Sequence, residues 1–487
     1  MTDRRDTPRT TAAAGRAPAA RATRTARPAY ECDVCGHRPP KWLGRCPECG
    51  EWGSIVDSTG GASLPSSLRT LTPRTPSEPA RPIATISVEP ARAKPTGVPE
   101  LDRVLGGGIV PGAVVLLAGE PGVGKSTLLL DVAQQWAASG DSPSLVISGE
   151  ESTSQVRLRA ERLGALHDRL FLAAETDLEA VLGHLEAVRP GLLVIDSVQT
   201  ISAPGTEGVA GGVTQVRAVT AALVAVAKER GIATVLVGHV TKDGNVAGPR
   251  VLEHLVDVVL NFEGDKHSSL RMVRGLKNRF GAADEVGCFE MHEKGITSLP
   301  DPSGLFLTRY AQPVAGTCVT VAMEGRRALV TEVQALIGAQ VAGSPRRTVS
   351  GLDSSRLAMV LAVLQRRTEA KLHDREVFAA TVGGIRVVEP AADLGIALAV
   401  ASAAHDLPLA ADLVAIGEVG LTGEIRRIGA TPRRLAEAAR LGFRYALVPP
   451  GCGPAATGST PPGMRVLEVD DLQTAVRYAA RASADVD

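Results

Sequence analysis

A glycine-rich segment with one lysine and two hydroxyl residues offers the chemistry of phosphate binding. Residues 119–127 read GEPGVGKST, which matches the pattern GxxxxGK[ST] at every fixed position. Glycines let backbone N–H groups surround phosphate oxygens, the lysine reaches the β and γ phosphates, and the next hydroxyl ligates Mg²⁺. An ATP–Mg²⁺ site is therefore predicted at Gly119, Glu120, Pro121, Gly122, Val123, Gly124, Lys125, Ser126 and Thr127, with Ser126 on the metal.

Acidic residues that follow two later apolar runs could complete the chemistry of ATP hydrolysis. Asp196 ends the run LLVID and is predicted to face Mg²⁺ through a water, because a carboxylate at the tip of a buried strand needs a cation or strong donors. Glu150 follows the run SLVISG and is the candidate base for the attacking water. In the alternative interpretation, Glu150 and Glu151 only cap a helix that begins near Ser152.

Four cysteines form two matched pairs near the start of the chain. Cys32 and Cys35 form one CxxC motif, and Cys46 and Cys49 form the other after ten intervening residues. Each motif supplies two thiolates from one tight turn, and four thiolates make a closed tetrahedral Zn²⁺ site with no open position for catalysis. Redox CxxC pairs are the alternative. A segment too small to fold alone favours a structural zinc knuckle.

These side chains need strands that position them along a common edge. Four short runs rich in Val, Leu and Ile are separated by helix-length sequence: AVVLLAG (113–119), SLVISG (144–149), GLLVIDS (191–197) and ATVLVGH (233–239). Such runs are typical of buried parallel strands in βαβ units, so an α/β domain is predicted, with strand 144–149 beside strand 113–119 in a RecA-type order. His239, with Thr241 and Lys242, either contacts the γ-phosphate or belongs to a turn at Asp243-Gly244.

Length and composition indicate several domains. The chain has 487 residues, of which 44% are hydrophobic and only 3% aromatic, so several domains with aliphatic cores are expected. Residues 58–82 are rich in Ser, Thr, Pro and Gly, as linkers are. The predicted segments are a disordered tail at 1–30, a C4 zinc finger at 31–57, the linker at 58–82, a RecA-like ATPase domain at 83–300, a connector at 301–344 and a C-terminal α+β domain at 345–480.

Charge and hydropathy argue against several classes of protein. Lys+Arg and Asp+Glu number 53 each, which disfavours bulk electrostatic coating of nucleic acid but not local basic loops. The sequence lacks a membrane-length apolar run and a signal-peptide pattern, so a cytoplasmic protein with no membrane partner is expected. Residues 1–30 are Arg-, Ala- and Thr-rich and fit either a disordered tail or an organellar transit peptide.

The order of these motifs resembles the bacterial RadA/Sms family. The cysteine pairs are followed by TGVPELDRVLGGGIVPGAVVLLAGEPGVGKST, then LLVIDS, then the family's distinctive KNRFG run. That run is formed by Lys277, Asn278, Arg279, Phe280 and Gly281. The resemblance covers about residues 30–480 and implies a ring-shaped, ATP-driven oligomer of recombinational DNA repair, expected to be a homo-hexamer. It also implies single-stranded and branched DNA as partners, branch migration, a recombinase or replicative helicase as a further partner, and association with the nucleoid during repair.

The KNRFG run supports three interpretations. Lys277 and Arg279 follow the strand-like stretch SLRMVRGL, and in an extended segment their side chains share one face. They could be catalytic residues on the ATP of a neighbouring subunit, like an arginine finger, they could contact DNA phosphates, or they could lie in a charged surface turn. DNA is also expected at loops 201–217 and 240–250, the first Gly-rich as a mobile loop would be, the second with two cations.

The C-terminal part resembles the Lon protease domain in the segments GIA and GEVGLTGEIRRIG. This resemblance places Asp393 where Lon has its serine and puts the lysine position near Pro432, so no proteolysis is predicted. Four arginines there either bind DNA or form a solvated helix face: Arg426, Arg427, Arg433 and Arg434. The functions under consideration are a DNA-repair motor, a nucleotide-switched assembly protein of the clock-ATPase type, and an ATP-dependent protease disfavoured by the missing Ser–Lys pair.

Overall fold

The computed structural model of the protein describes residues 30–57, 80–239, 249–264, 269–308, 310, 312–453 and 461–484. The chain divides into two units, Met1–Ile86 and Ser87–Asp487. Several predicted features lie outside the described residues: nearly all of the tail, most of the linker, and positions 240–248 of the second DNA loop, which include Thr241, Lys242, Asp243 and Gly244.

The first unit places the cysteine pairs on a two-stranded framework. Strand β1 (Tyr30–Cys32) pairs antiparallel with β2 (Ile55–Asp57), so that Cys32 lies opposite Ile55. The buried residues here are few, namely Cys32, Cys46 and Ile55, with Ser54 beside them. So small a core needs an additional crosslink or metal to stay folded.

The strand before the phosphate loop lies within a large sheet of the second unit. The strands of this sheet are β3 (Val114–Gly119), β4 (Ser144–Ser148), β5 (Leu170–Ala174), β6 (Leu192–Asp196), β7 (Ala233–His239), β8 (Val258–Gly264), β9 (Leu270–Asn278), β10 (Val286–His292) and β11 (Gly295–Ser298). Among the described residues their order is β11-β10-β9-β8-β3-β7-β6-β4-β5. The part from β8 to β5 is parallel, and β9 to β11 continue it antiparallel.

The parallel α/β sheet that was predicted is confirmed, but the predicted neighbour of the P-loop strand is wrong. Strand β4 does not lie beside β3, because β7 and β6 separate the two. Apolar runs of similar composition can pair with one another in any order. The order is decided by where each crossover returns to the sheet, and short-range sequence patterns do not record that.

Helices cover both faces of this sheet. They are α1 (Pro99–Leu105), α2 (Lys125–Ala138), α3 (Thr153–Leu163), α4 (Leu178–Val188), α5 (Val213–Arg230) and the short α6 (Pro249–Leu252). Alternate residues of β3 enter different cores: Val115 and Leu117 join the cluster that contains α2, whereas Val114 and Leu116 join the cluster that contains α4 and α5. Burial on both faces explains why this strand is a continuous apolar run.

A second sheet forms the C-terminal region. Its strands are β12 (Thr317–Glu324), β13 (Arg327–Gln340), β14 (Arg347–Ser350), β15 (Arg375–Thr381), β16 (Leu413–Ala415), β19 (Tyr445–Val448) and β20 (Arg465–Glu468), and β17 (Glu418–Val419) pairs with β18 (Ile425–Arg426) beside it. The helices are α7 (Ser303–Phe306), α8 (Ser354–Arg367), α9 (Asp393–His405), α10 (Thr431–Arg440) and α11 (Leu472–Ala484). The sheet order among the described residues is β14-β15-β13-β12-β16-β19-β20.

The segment predicted as a connector, 301–344, supplies the centre of this second sheet. Strands β12 and β13 form a long antiparallel hairpin between β15 and β16. Helix α9 packs against both strands, and from Asp393 to Ser402 each of its residues is buried. The sheet therefore begins near residue 317, earlier than the predicted boundary at 345.

Candidate nucleotide site and zinc centre

The phosphate loop has the backbone shape that the motif requires. Strand β3 ends at Gly119 and helix α2 begins at Lys125, so the N–H groups of the first helical turn face the loop. Gly124 has φ +114°, and a Cβ there would lie 2.3 Å from Met291 Cε. A Cβ at Gly119 would lie 2.5 Å from the carbonyl oxygen of Phe262. Gly124 is therefore required by its conformation, since the Met291 methyl could move aside, and Gly119 is required by space.

The lysine of the motif is buried beneath its own loop. Lys125 Nζ donates to the carbonyl oxygens of Gly119 and Glu120, at 2.9 Å each. Burial lowers the pKa of Lys125, and the carboxylates of Asp196 and Glu150 oppose that change. The ammonium group is thus held by weak carbonyl acceptors at the point where phosphate oxygens would be stronger partners.

The hydroxyl and the acid predicted on the Mg²⁺ side come together. Burial raises the pKa of Asp196, and a hydrogen bond with the Ser126 side chain works against that rise. The two residues come from different elements, since Ser126 lies in the first turn of α2 and Asp196 ends β6. A hydroxyl beside a carboxylate is the oxygen-only donor set that Mg²⁺ prefers. The residues present fit Mg²⁺, which ATP brings with it.

Glu150 lies in the same cluster rather than at a helix end. Its Oε1 accepts hydrogen bonds from Ser197 Oγ at 2.7 Å and from His239 Nε2 at 3.0 Å. Burial raises its pKa, but the hydrogen bond from Ser197 and the interactions with His239 outweigh burial, so the pKa lies below its ordinary value. Helix α3 is capped by Ser152 in a capping box with Gln155. Ser152, and not Glu150, therefore caps the helix, which is evidence against the alternative interpretation.

Three partners in this site were not anticipated. Ser197 follows Asp196 directly, so a hydroxyl after a strand-end acid was the signal that could have revealed it. Arg159 forms an ion pair with Glu151 at 2.6 Å, so the Glu151 carboxylate is engaged by this arginine. Arg271 Nε, on β9, donates to the carbonyl oxygen of Val123 in the phosphate loop at 3.2 Å. Only tertiary structure places this last residue near the nucleotide.

The KNRFG segment and the phosphate loop of the same chain lie at opposite ends of the strands of this sheet. Gly119 is level with Phe262 near the end of β8, whereas Asn278 is level with Val258 at its start. Four residue steps along β8 separate these two levels, which is about 13 Å, and the phosphate loop continues beyond Gly119. The two motifs of one chain therefore cannot act on the same ATP.

The two cations of this segment are held by the loop before β8. Lys277 Nζ donates to the carbonyl oxygens of Glu253 and Val256, and Arg279 Nη1 lies 3.1 Å from Asp257 Oδ1. Burial and the nearby Arg279 charge lower the pKa of Lys277. Arg279 remains half-exposed. The segment is thus an anchored structure and not an unsupported surface turn, which weakens the third interpretation of KNRFG.

The loop predicted at 201–217 is shorter and more ordered than expected. Helix α5 already begins at Val213. The buried Gln215 side chain accepts from Ala203 N at 2.9 Å and donates to Thr206 O at 2.6 Å, so it ties the loop to the helix. Arg217 is exposed just behind the loop. A side-chain tie of this kind has no signature in local composition.

The four cysteine sulfurs converge on one point. Cys32 Sγ and Cys49 Sγ lie 3.7 Å apart, Cys35 Sγ and Cys46 Sγ lie 3.6 Å apart, and all four are within 4.8 Å of one another. Thiolates at the usual Zn–S distance of about 2.3 Å in a tetrahedron are separated by about 3.8 Å, so the spacing fits. The two pairs end in the same kind of turn: the Gly36 N–H donates to the Cys32 carbonyl, and the Gly50 N–H donates to the Cys46 carbonyl. Both glycines have positive φ.

The surroundings of Cys32 favour its thiolate form. At Cys35 and Cys49, backbone hydrogen bonds lower the pKa, but burial and the neighbouring cysteines outweigh them, so both pKa values are raised. The Ser54 hydroxyl lies 3.3 Å from Cys32 Sγ, and this hydrogen bond lowers the pKa of Cys32 to about 6. A thiolate is the form that ligates zinc. This is a structural Zn²⁺ site of four thiolates, as the spacing predicted.

Loss of one zinc ligand is expected to empty and unfold the first unit. Cys46→Ser removes a thiolate from a closed four-ligand site, so zinc content should fall from about one ion per chain to near zero. The measurement is metal content after purification, together with the rate of proteolysis within residues 30–57. Cys452→Ser is the matched control, since this buried cysteine lies in the C-terminal region and should leave zinc content unchanged. Retention of stoichiometric zinc by Cys46→Ser would contradict the assignment.

The Lon-like site carries an ion pair in place of a nucleophile. Asp393 is buried at the start of α9, and Arg356 Nε donates to its Oδ1 at 2.8 Å while the other arm of the guanidinium bonds Oδ2. Pro432 occupies the first turn of α10. A carboxylate neutralised by arginine cannot attack a peptide bond, and proline carries no base. The absence of proteolysis stays a prediction.

The four C-terminal arginines do not form one basic surface. Arg434 is buried and bonds Glu389 through both arms, at 2.6 and 2.7 Å, so it is unable to contact DNA. Arg426 pairs with Glu424, and Arg427 donates to the carbonyl oxygen of Gly451. Arg433 alone of the four is exposed without a partner among the described residues. The prediction of a DNA-binding cluster, and of a solvated face, is wrong for Arg434 because Glu389 from a distant loop neutralises it.

The sheet, the phosphate loop and the adjoining oxygen ligands define a P-loop ATPase with a RecA-like core and an N-terminal zinc site. The family model of the AAA domain matches residues 79–245, and that of the rubredoxin metal binding domain matches residues 30–57. Among the described residues, no helix combines the length and apolar character that a membrane span requires.

Known proteins match nearly the whole chain. The DNA repair protein RadA of Mycolicibacterium smegmatis is 55% identical over 455 residues, which are 92% of this chain and 96% of that protein. RadA of Mycobacterium tuberculosis H37Rv is 54% identical over 460 residues, 93% of each chain, and that of Streptococcus pyogenes serotype M1 is 43% identical over 422 residues, 86% and 92%. The chain belongs to the RadA family. A KaiC-like protein from Pyrococcus horikoshii OT3 has a TM-score of 0.36 at 22% identity, and the match covers 43% of this chain and 100% of that protein.

Proposed function

We propose that the chain is a DNA-dependent ATPase of recombinational DNA repair, which binds single-stranded DNA and promotes branch migration of recombination intermediates. Membership of the RadA family supports the repair role, since the relatives are DNA repair proteins. The ATP site supplies the energy source. A recombinase or replicative helicase is the further partner, and the protein works in the cytoplasm at the nucleoid.

The roles of the site residues follow from their positions. Lys125 leaves the loop carbonyls to bind the β and γ phosphates of ATP, and Ser126 and Asp196 hold Mg²⁺ directly and through water. Glu150, ionised and oriented by Ser197 and His239, takes the proton of the attacking water. His239 ends β7 and bonds Glu150, so loss of the γ-phosphate is sensed at this end of the strand.

One observation carries the proposal of a ring: along β8, the KNRFG segment lies about 13 Å from the start of the phosphate loop of its own chain. Lys277 and Arg279 therefore act on the ATP of a neighbouring subunit. Such a contact joins one surface of a copy to a different surface of the next copy, so the interface is heterologous. A closed assembly built from this interface is a ring. The proposed ring is a homo-hexamer.

The DNA path follows the loops after β6 and β7. Loop 201–212 leaves the strand that carries Asp196, and the 3₁₀ turn between them is tied by Thr200 Oγ1, which donates to the Ser197 carbonyl at 2.7 Å. A change at the Mg²⁺ site is therefore transmitted over few residues to a loop with an exposed Val209 and, behind it, an exposed Arg217. In a ring these loops line the central channel, so a few cations per chain suffice despite a zero net charge.

Single-stranded DNA is expected to raise ATP turnover several-fold, because the loops that bind it adjoin the catalytic carboxylates. The measurement is steady-state phosphate release with and without a poly-dT strand. Arg217→Ala should weaken DNA binding and reduce the slope of log affinity against log salt by about one for each phosphate that the arginine neutralises. Arg386→Ala, which removes an exposed arginine of the C-terminal region that has no predicted DNA role, is the matched control and should change neither. If DNA alters turnover in no variant, a nucleotide-switched assembly protein becomes the better function.

A further inference from the structure

The hairpin of β12 and β13 ends in a tight turn that contacts the ATPase sheet. The turn consists of Glu324, Gly325, Arg326 and Arg327, with Glu324 opposite Arg327 in the last pair of the ladder. Gly325 has φ +58°, the left-handed region that favours glycine. The hairpin belongs to the C-terminal sheet, yet its tip reaches strands β9 and β10.

The tip closes tightly on the loop between these two strands. A Cβ on Gly325 would lie 2.0 Å from the carbonyl oxygen of Asp284, closer than any real Cβ contact. Arg326 N donates to that same carbonyl at 2.8 Å, and Arg326 Nε lies 3.1 Å from Glu285 Oε1. The contact thus combines a main-chain hydrogen bond, an ion pair and a close approach that only glycine permits.

Asp284 is in the loop that follows KNRFG. It is one of few non-glycine residues with positive φ among those described, at +67°, and its N–H donates to the Gly275 carbonyl at 3.0 Å. The Asp284 carbonyl accepts from the Arg326 N–H, so both backbone polar groups of Asp284 are hydrogen-bonded. Only residues 282 and 283 separate Asp284 from Gly281, so its position limits where the KNRFG segment can lie.

A second set of contacts links the tip to the other side of the same segment. Arg327 forms a buried ion pair with Glu100 of α1, and both side chains are at least 90% buried. At the end of α1, the carbonyl oxygen of Leu105 accepts from Asn278 Nδ2 of KNRFG at 3.2 Å. Arg274 of β9 adds an ion pair with Glu324 at 2.7 Å. The KNRFG segment is therefore bounded by two structures that both rest on the hairpin tip.

We propose that the hairpin tip is a positioning element for KNRFG, with Gly325 and Arg326 as its positioning residues. The C-terminal region, which carries no protease chemistry, sets how Arg279 is presented to the ATP of the neighbouring subunit. This inference rests on the proposed function, in which KNRFG acts in trans. It assigns to the Lon-like region a direct influence on ATP turnover.

Gly325→Ala is expected to reduce DNA-stimulated ATP turnover at least tenfold while the affinity for ATP stays within about twofold, since the phosphate loop is untouched. Gly343→Ala is the matched control: this glycine also has positive φ, at +120°, but a Cβ there meets nothing within 4 Å. Arg326→Gln, which keeps the main-chain hydrogen bond and loses the ion pair with Glu285, should give a smaller loss. Thermal unfolding of each variant separates mispositioning from failure to fold. Wild-type turnover in Gly325→Ala would overturn the proposal.

ATP turnover by mixed oligomers distinguishes a positioning role of the hairpin tip from a purely structural one. Two differently tagged copies are co-expressed and purified through both tags. Lys125→Ala subunits offer an intact KNRFG, and Gly325→Ala subunits offer an intact phosphate loop, so this mixture should regain turnover. Gly325→Ala with Arg279→Ala should not, because both chains then lack an effective KNRFG. Recovery in that second mixture would overturn the positioning role.

The same experiment tests the trans arrangement separately. Lys125→Ala mixed with Arg279→Ala should regain turnover whatever the hairpin does. Failure of this mixture would overturn the proposed trans action of KNRFG. The positioning role is judged apart from it, by whether Gly325→Ala alone loses turnover while Gly343→Ala keeps it.

Discussion

Arg279→Ala is expected to lower DNA-stimulated ATP turnover by about 10³-fold or more, which is the range for an arginine that stabilises a phosphoryl-transfer transition state from a neighbouring subunit. The guanidinium is half-exposed and anchored through Nη1 to the buried Asp257, while the Arg279 N–H donates to the Asp257 carbonyl at 3.2 Å. The backbone is thus held and the rest of the side chain projects from the sheet edge. ATP affinity should change little, because the phosphate loop of the same chain begins about 13 Å away along β8.

The measurement is turnover at saturating single-stranded DNA together with the dissociation constant of a fluorescent ATP analogue. Arg386→Ala removes an exposed arginine that has no predicted DNA role and is the control for a general effect of reduced positive charge. If Arg279→Ala weakens DNA binding and reduces its salt dependence but keeps turnover at saturating DNA, then Arg279 contacts DNA phosphates and the trans role is wrong.

Lys125→Ala is expected to reduce ATP turnover to the limit of detection, about 10²-fold or more, since it removes the charge that stabilises the transferring phosphate. Without nucleotide this lysine donates to two carbonyl oxygens of its own loop. Carbonyl oxygens carry no formal charge that its removal would leave unpaired, so the thermal unfolding midpoint should change by a few degrees at most. In contrast with Arg279→Ala, the affinity for ATP should fall as well.

The control for Lys125→Ala is Lys371→Ala, which removes an exposed lysine between α8 and β15. Both variants lose one positive charge, so only the change at the phosphate loop should affect phosphate release and ATP binding. Normal turnover in Lys125→Ala would show that another part of the chain hydrolyses ATP, and it would remove the basis for every role assigned around Asp196 and Glu150.

The local features of the fold could be predicted from sequence because each is encoded within a few residues. The phosphate loop, the Ser152 cap and the two cysteine turns depend on residue types at fixed short spacing. Four of the nine described strands of the ATPase sheet, β3, β4, β6 and β7, are visible as apolar runs. What could not be predicted is long-range: the separation of β4 from β3 by two other strands, and the pairing of the β12–β13 hairpin with β15 and β16.

The candidate site divides in the same way. Lys125, Ser126 and Asp196 are recognisable because phosphate and Mg²⁺ impose a strict pattern on the chain. The second partner of an acid has no such pattern: Glu150 meets Ser197 and His239, and Asp393 meets Arg356, only after folding. Arg434 illustrates the converse error, since a basic run looks available for DNA until Glu389 is seen beside it.

Strand β9 connects the phosphate loop to the KNRFG segment. At its beginning Arg271 donates to the carbonyl oxygen of Val123 in the phosphate loop, and at its end lie Lys277 and Asn278. In the proposed ring, one stiff strand therefore spans from a subunit's own nucleotide to the next subunit's nucleotide. Because each copy faces its neighbours with opposite ends, the effect of hydrolysis passes around the circle in a single sense. In such a ring, the order in which the subunits influence one another is fixed by the fold of the chain itself.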